Sequence, residues 1–187
     1  AAFGGDANYL PSSNGTTFTI GKATASLAVT NSPAAYDGTS KTAAVSSSVP
    51  GTVSNIRYNG SANAPADAGT YAITADFVPI DTTNYNTLGS ANAGNFVIQK
   101  AGTPTLSVSN SPLIFNGAAQ AAVVVGSVPG TVSNINYNGS PTVPANAGSY
   151  VITADFTPVD TVNYDSLVGA TAGTLVIQPA ATTTAVT

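Results

Sequence analysis

Val49-Pro50-Gly51-Thr52-Val53-Ser54-Asn55-Ile56 returns, residue for residue, as Val128-Pro129-Gly130-Thr131-Val132-Ser133-Asn134-Ile135. The match extends in both directions. Tyr58-Asn59-Gly60-Ser61 returns as Tyr137-Asn138-Gly139-Ser140, Ile73-Thr74-Ala75-Asp76-Phe77 as Ile152-Thr153-Ala154-Asp155-Phe156, and residues 22–100 align with 101–179 without a gap, 79 residues apart. More than half of the aligned positions are identical. A fixed internal period decides architecture before any local pattern does, so the chain reads as two domains of one kind, 22–100 and 101–179.

Within a unit the hydrophobic period is two. Tyr71, Ile73, Ala75 and Phe77 share one face of a segment whose other face carries Thr74 and Asp76, the alternation of a half-buried strand. Leu27 and Val29 repeat it in an opening strand, Phe96 and Ile98 in a closing one. Nothing reads as a helix beyond a turn near Asp81 to Tyr85. Asp37-Gly38, Pro50-Gly51 and Asn59-Gly60 punctuate at short intervals; Asn-Gly and Asp-Gly favour tight hairpins because both central residues take positive φ. Short strands with regular turn signals over about 80 residues predict an all-β sandwich or barrel.

One pattern favours the sandwich. Asp67-Ala68-Gly69-Thr70-Tyr71-Ala72-Ile73 and Asn146-Ala147-Gly148-Ser149-Tyr150-Val151-Ile152 resemble the immunoglobulin tyrosine corner, in which Tyr lies two residues before a disulfide-forming Cys. Ile73 and Ile152 stand where that Cys would be, so aliphatic packing replaces the disulfide. Together with Tyr36-Asp37-Gly38, Tyr58-Asn59-Gly60, Asn84-Tyr85 and the closing Phe-x-Ile-x-Lys-Ala, the chain resembles the MBG/YDG-type immunoglobulin-like repeats of large bacterial surface proteins. The resemblance covers both full units and the partial one that precedes them. It implies tandem immunoglobulin-like β-sandwiches in a head-to-tail array, with Tyr71, Tyr150, Tyr85 and Tyr164 as structural residues and without catalysis.

The flanks repeat pieces of the unit. Asp6-Ala7-Asn8-Tyr9 and Phe18-Thr19-Ile20-Gly21-Lys22-Ala23 resemble Asp81-Thr82-Thr83-Asn84-Tyr85 and Phe96-Val97-Ile98-Gln99-Lys100-Ala101, so residues 1–21 read as the closing strands of a preceding repeat. Ala185-Val186-Thr187 matches Ala28-Val29-Thr30, so 180–187 reads as the opening strand of a following one. Terminal caps, or strands added to a neighbouring subunit, are the alternatives. The absence of Met at position 1 or anywhere else fits a segment of something longer. Between the units, Gln99-Lys100-Ala101 leaves little room for the Gly/Ser-rich stretch of a flexible linker, which predicts end-to-end domains with limited rocking.

Composition narrows the chemistry. Four Lys+Arg face eight acids, all Asp, and there is no Glu, His, Cys, Met or Trp. Ser-His-Asp and Cys-His catalysis, imidazole and thiolate metal sites and disulfides are thereby excluded. So few cations give no phosphate-neutralising surface for nucleic acid and no polybasic membrane patch, and no apolar run reaches the length of a membrane span. Residues 101–179 contain neither Lys nor Arg, which leaves no amine for a Lys-Asn crosslink inside the second unit.

Candidate sites are correspondingly few. Asp76 with Asp81 and Asp155 with Asp160 are recurring carboxylate pairs, but a solvated strand face and an Asx turn account for them without a sugar cleft. Asp81, Asp160 and Asp165 are the calcium candidates, in loops that also hold Asn84 and Asn163. Ca²⁺ takes about 6–8 oxygens, and a hydrogen-bonded turn is the simpler reading. Asn14-Gly15-Thr16, Asn59-Gly60-Ser61 and Asn138-Gly139-Ser140 fit the N-glycan acceptor pattern, although Asn-Gly is also what a tight turn requires. Thr182-Thr183-Thr184 is more simply strand propensity than an ice-binding or glycan site. The expected function is a stalk, spacer or fibre body of an extracellular or cell-surface protein, without enzyme activity or an obligate cofactor, and with neighbouring repeats or subunits as partners. An adhesin module that binds a glycan or a host surface through the end loops 81–88 and 160–167 is the alternative.

Overall fold

The computed structural model describes residues 1–182; of the expected opening strand over 180–187, residues 183–187, including Ala185 to Thr187, lie outside the described residues. The described chain is all strand and turn, and no helix in it is long and apolar enough to cross a membrane.

Unit 1 contains β3 (Leu27–Val29), β4 (Ala34–Ala35), β5 (Val45–Ser47), β6 (Gly51–Tyr58), β7 (Gly69–Pro79) and β8 (Leu88–Gln99). Unit 2 repeats them as β9 (Leu106–Val108), β10 (Leu113–Ile114), β11 (Val124–Gly126), β12 (Gly130–Tyr137), β13 (Gly148–Pro158) and β14 (Leu167–Gln178). In each unit the three long strands form an antiparallel sheet. A short strand adds in parallel at the open edge of the closing strand, giving the orders β4-β8-β7-β6 and β10-β14-β13-β12. A two-stranded antiparallel sheet, β3-β5 or β9-β11, covers one face of it and completes the sandwich.

The predicted alternation is what fills the space between the sheets. Ile73, Ala75 and Phe77 of β7 and Phe96 and Ile98 of β8 are fully or almost fully buried, as are Ile152, Ala154 and Phe156 of β13 and Leu175 and Ile177 of β14. Ile73 and Ile152, at the position of the missing Cys, are both 0% exposed. Burying such side chains contributes about 1.5–3 kcal/mol each. Two polar ties close the core. The Tyr58 hydroxyl accepts the Ala43 N–H at 2.8 Å, with its ring edge-on to Phe96, and the Tyr137 hydroxyl accepts the Ala122 N–H at 3.0 Å. Gly51 and Gly130, which open β6 and β12, lie so close to the rings of Phe77 and Phe156 that a Cβ would collide with them.

The turn chemistry is equally literal. Asn59 and Gly60 both have positive φ, 48° and 86°, and Tyr58 and Ser61 exchange backbone hydrogen bonds across them. Asn55, also at positive φ, forms the bulge of β6, and its amide Nδ2 donates to Asp76 Oδ2 at 2.7 Å. Asn134 and Asp155 repeat this at 2.6 Å. Residues 1–21 stand apart from both sandwiches. They hold one short hairpin, β1 (Ala2–Phe3) with β2 (Ser12–Ser13), and Phe18 and Ile20 form no strand and are 87% and 82% exposed.

Candidate functional site: the joint between the repeats

The residues that sequence reasoning singled out gather at the ends of the units, and the second set meets the first unit there. After β13 the chain makes a single turn from Asp160 to Tyr164, closed by the Tyr164 N–H donating to the Asp160 carbonyl at 3.2 Å. Asp160 caps the turn: Oδ1 accepts the Asn163 N–H at 3.1 Å and Oδ2 accepts the Asn163 side-chain amide at 2.8 Å. The Asn163 amide lowers the Asp160 pKa, because hydrogen bonds to the ionised form stabilise it.

Asn163 is the centre of the joint. It is the only buried polar residue among the described residues, 3% exposed. Its Oδ1 accepts the Ala68 N–H of unit 1 at 2.7 Å, and its Nδ2 donates to Asp67 Oδ1 at 3.1 Å. Its backbone carbonyl accepts the Ala101 N–H at 2.9 Å, so the linker itself is sewn to the turn. Every strong hydrogen-bonding atom of a buried amide is thus engaged, as burial requires. Beside it Tyr164 packs edge-on against Tyr36 of unit 1, centroids 5.9 Å apart and planes at 81°, the favoured geometry for an aromatic pair. Burial, followed by the charge of Asp160, raises the Tyr36 pKa.

Lys100 completes the clasp from the linker side. Its Nζ donates to the Thr161 carbonyl at 3.0 Å, to the Tyr164 carbonyl at 3.4 Å and to Asp165 Oδ1 at 2.9 Å. The ion pair is exposed and worth at most about 1 kcal/mol. Its use is to hold the linker on unit 2 rather than to stabilise either sandwich.

Tyr71 and Tyr150 sit at the corners where β7 and β13 begin, their hydroxyls donating to the carbonyls of Asp67 at 2.8 Å and Asn146 at 3.0 Å. The Tyr71 bond pins the loop whose next two groups, the Asp67 carboxylate and the Ala68 N–H, receive Asn163. Tyr85 and Asp81 form the equivalent turn of unit 1: Asp81 accepts from the N–H groups of Thr83 and Asn84 and from the Asn84 amide, which lowers its pKa. Asp81, Asp160 and Asp165 therefore each spend oxygens on neighbours within the loop or on Lys100, and among the described residues no three acids converge. Asp76 and Asp155 are tied to bulges: each accepts from an Asn amide and from a backbone N–H of the closing strand. Asn59 Oδ1 accepts the Ala72 N–H at 2.8 Å, fastening the hairpin tip to β7.

Sequence reasoning met Asn163, Asp67, Tyr36 and Lys100 only as members of loop, corner, turn and closing motifs and gave none of them a part in a joint. A signal was available: the units repeat at 79 residues, but Lys22-Ala23 and Lys100-Ala101 repeat at 78, marking a linker with its own register.

An array of small β-sandwiches joined by an ordered linker defines the class, a tandem β-repeat protein. The chain belongs to the MBG domain family, whose model matches residues 25–102 and again 105–181. No curated protein matches it. A solved structure of fibronectin(III)-like modules of Clostridium thermocellum CbhA is similar over 82% of this chain and 94% of that one, at 13% identity and a TM-score of 0.28.

Proposed function

We propose that the chain is a structural repeat segment of a long extracellular or cell-surface protein or filament, serving as stalk, spacer or fibre body. The observation that carries this reading is the joint. The short linker between β8 and β9, residues 100–105, clasped through Lys100 and Ala101 and locked to unit 1 through buried Asn163, is what transmits orientation from one sandwich to the next. Flexible tethers are longer and make no such contacts. Non-catalytic use agrees with the composition: no His or Cys, and carboxylates engaged in turns and bulges. In this reading residues 1–21 are the closing strands of a preceding repeat and 180–187 open the next. In a polymer, strand addition to a neighbouring subunit would take up such terminal strands. Calcium has no role in it.

Residual dipolar couplings on the full chain test the proposal. One alignment tensor should fit both units, and Asn163→Ala should split it in two. Independent tensors in the unaltered chain would overturn the stalk reading.

The second reading, a glycan-binding adhesin module, draws on an apolar hollow of about 140 Å³ formed by Val49, Pro50, Ile80, Asp81 and Tyr85. A specific hit on a glycan array, lost in Tyr85→Ala with the fold retained, would favour it. The corresponding turn of unit 2 is committed to the joint, so unit 1 alone would bind.

A further inference from the structure

The turn that docks unit 2 onto unit 1 exists twice, and only one copy is covered. In unit 1 the Asn84 N–H and side-chain amide donate to Asp81 at 3.0 and 2.8 Å, against 3.1 and 2.8 Å for Asn163 and Asp160. Ala23 N–H donates to the Asn84 carbonyl at 2.8 Å, as Ala101 does to that of Asn163 at 2.9 Å. Lys22 Nζ reaches the Thr82 carbonyl at 2.6 Å, as Lys100 reaches that of Thr161 at 3.0 Å. The clasp is therefore set with no partner in place, and little ordering remains to oppose docking.

On the linker side the first copy lacks only the further Lys100 bonds to the Tyr164 carbonyl and Asp165, where unit 1 has Asn86; the larger difference is the far side. Asn163 is 3% exposed, while Asn84 is exposed and its Oδ1, the atom that in Asn163 accepts the Ala68 N–H, has no donor among the described residues. Asp160 is half-buried and Asp81 exposed. The Tyr164 ring meets Tyr36, whereas Tyr85 borders the apolar hollow with Val49, Pro50 and Ile80.

We propose that this end of unit 1, centred on Asn84 and Tyr85, is a docking face for a preceding repeat of the same kind, held in cis through residues 1–21. The proposal rests on the repeat-segment reading and adds the contact that would propagate it. Two observations choose this occupant. The segment entering the face carries a unit's closing pattern: Asp6 Oδ1 accepts the N–H groups of Asn8 and Tyr9, as Asp81 does for Thr83 and Asn84. Its Phe18 and Ile20 are 87% and 82% exposed, where their counterparts Phe96 and Ile98 are 0% and 2% exposed inside a sheet. The second is continuity with the existing joint. The incoming repeat needs an oxygen acceptor followed by an N–H donor at its corner loop and an aromatic ring beside them. Unit 1 offers Asp67, Ala68 and Tyr36; unit 2 has Asn146, Ala147 and Phe115 at the same places. Contacts of this kind are heterologous, one surface meeting a different one, which is the arrangement that can be repeated along an array.

Side-chain amide exchange, read by NMR, tests the docking face. In the native chain Asn163 should be protected and Asn84 fast; an unprotected Asn163 would overturn the stalk reading itself. Residues 22–100 are then duplicated so that the added copy's Lys100 runs directly into Ala23, with a second version using 101–178 followed by Lys22 as the added repeat. Exchange of the original Asn84 should slow on the order of tenfold in either chain, towards that of Asn163. Asp67→Ala confined to the added repeat of the first chain should release Asn84 and leave Asn163 protected. Asn84 remaining fast in both extended chains while Asn163 stays protected would overturn the docking face and spare the stalk. Asn84 becoming protected in the native chain as its concentration rises would assign the face to a second molecule and overturn the cis occupant.

Discussion

Asn163 of the second repeat hydrogen-bonds Asp67 of the first, Nδ2 to Oδ1 at 3.1 Å, while its own Oδ1 takes the Ala68 N–H at 2.7 Å. One buried amide thus fills both halves of the contact. Asn163→Ala should strand the partly buried Ala68 N–H and cost about 1–3 kcal/mol. Asn84→Ala, which loses only exposed contacts within its turn, should cost less than about 1 kcal/mol. Denaturant unfolding of the two variants checks the difference, and equal losses would contradict the assigned role of Asn163.

The tyrosine hydroxyls divide by direction. Tyr71 and Tyr150 donate to corner carbonyls that are also reachable by water, so each change to Phe should cost about 1 kcal/mol. Tyr58 and Tyr137 are buried and accept from the N–H groups of Ala43 and Ala122. Their change to Phe should cost about 1–3 kcal/mol, because a buried donor is left unpaired. Thermal unfolding of Tyr58→Phe beside Tyr71→Phe is the check.

Gly130→Ala should destabilise unit 2 by about 1–3 kcal/mol, since the added Cβ meets the Phe156 ring and the Thr157 carbonyl. Gly60→Ala meets nothing but is held at φ 86°, and backbone strain of about 1–2 kcal/mol is the only cost. A loss recovered by trimming Phe156 to Leu in the Gly130→Ala background would identify the ring as the obstacle.

Acid should weaken the fold, and neutral pH should not. Asp76, Asp155, Asp81 and Asp160 have pKa values lowered first by the amides of Asn55, Asn134, Asn84 and Asn163, and Asp37 by Lys41. A depressed folded-state pKa means that the unfolded chain binds more protons. The stabilisation is complete above an ordinary Asp pKa of about 4 and is lost as pH falls through the folded-state values. With no His in the chain, the melting temperature should be level from about pH 5 to 8 and drop below about pH 4. A transition centred near pH 6 would contradict this.

Calcium addition should leave the melting temperature unchanged, because Asp81 and Asp160 already accept from their own turns and Asp165 holds Lys100. A saturable rise, removed by Asp165→Asn, would reveal an ion site.

Legibility in the sequence followed the range of the interactions. The strands were readable because alternation at Tyr71, Ile73, Ala75 and Phe77 is local and its consequence, one buried face, does not depend on the partner strand. The turn at Asn59-Gly60 was readable because positive φ restricts which residues can occupy it. The parallel edge pairing of β4 with β8 was not, since Ala34-Ala35 carries no pattern of its own. Nor was the exposure of Phe18 and Ile20, which share the closing motif of Phe96 and Ile98 but have no sheet to enter.

By itself the sequence determined two all-β units, the alternating faces of β7 and β8 that fill a core, and the lack of His- and Cys-based chemistry, because the period, alternation and composition are properties of the chain taken in order. Only the tertiary structure separated Asn163 from Asn84. The two have the same neighbours in sequence, Asp three residues before and Tyr one after. One is buried and the other exposed because burial depends on which surface lies across the joint, and Asp67 and Ala68 are more than ninety residues away in the chain.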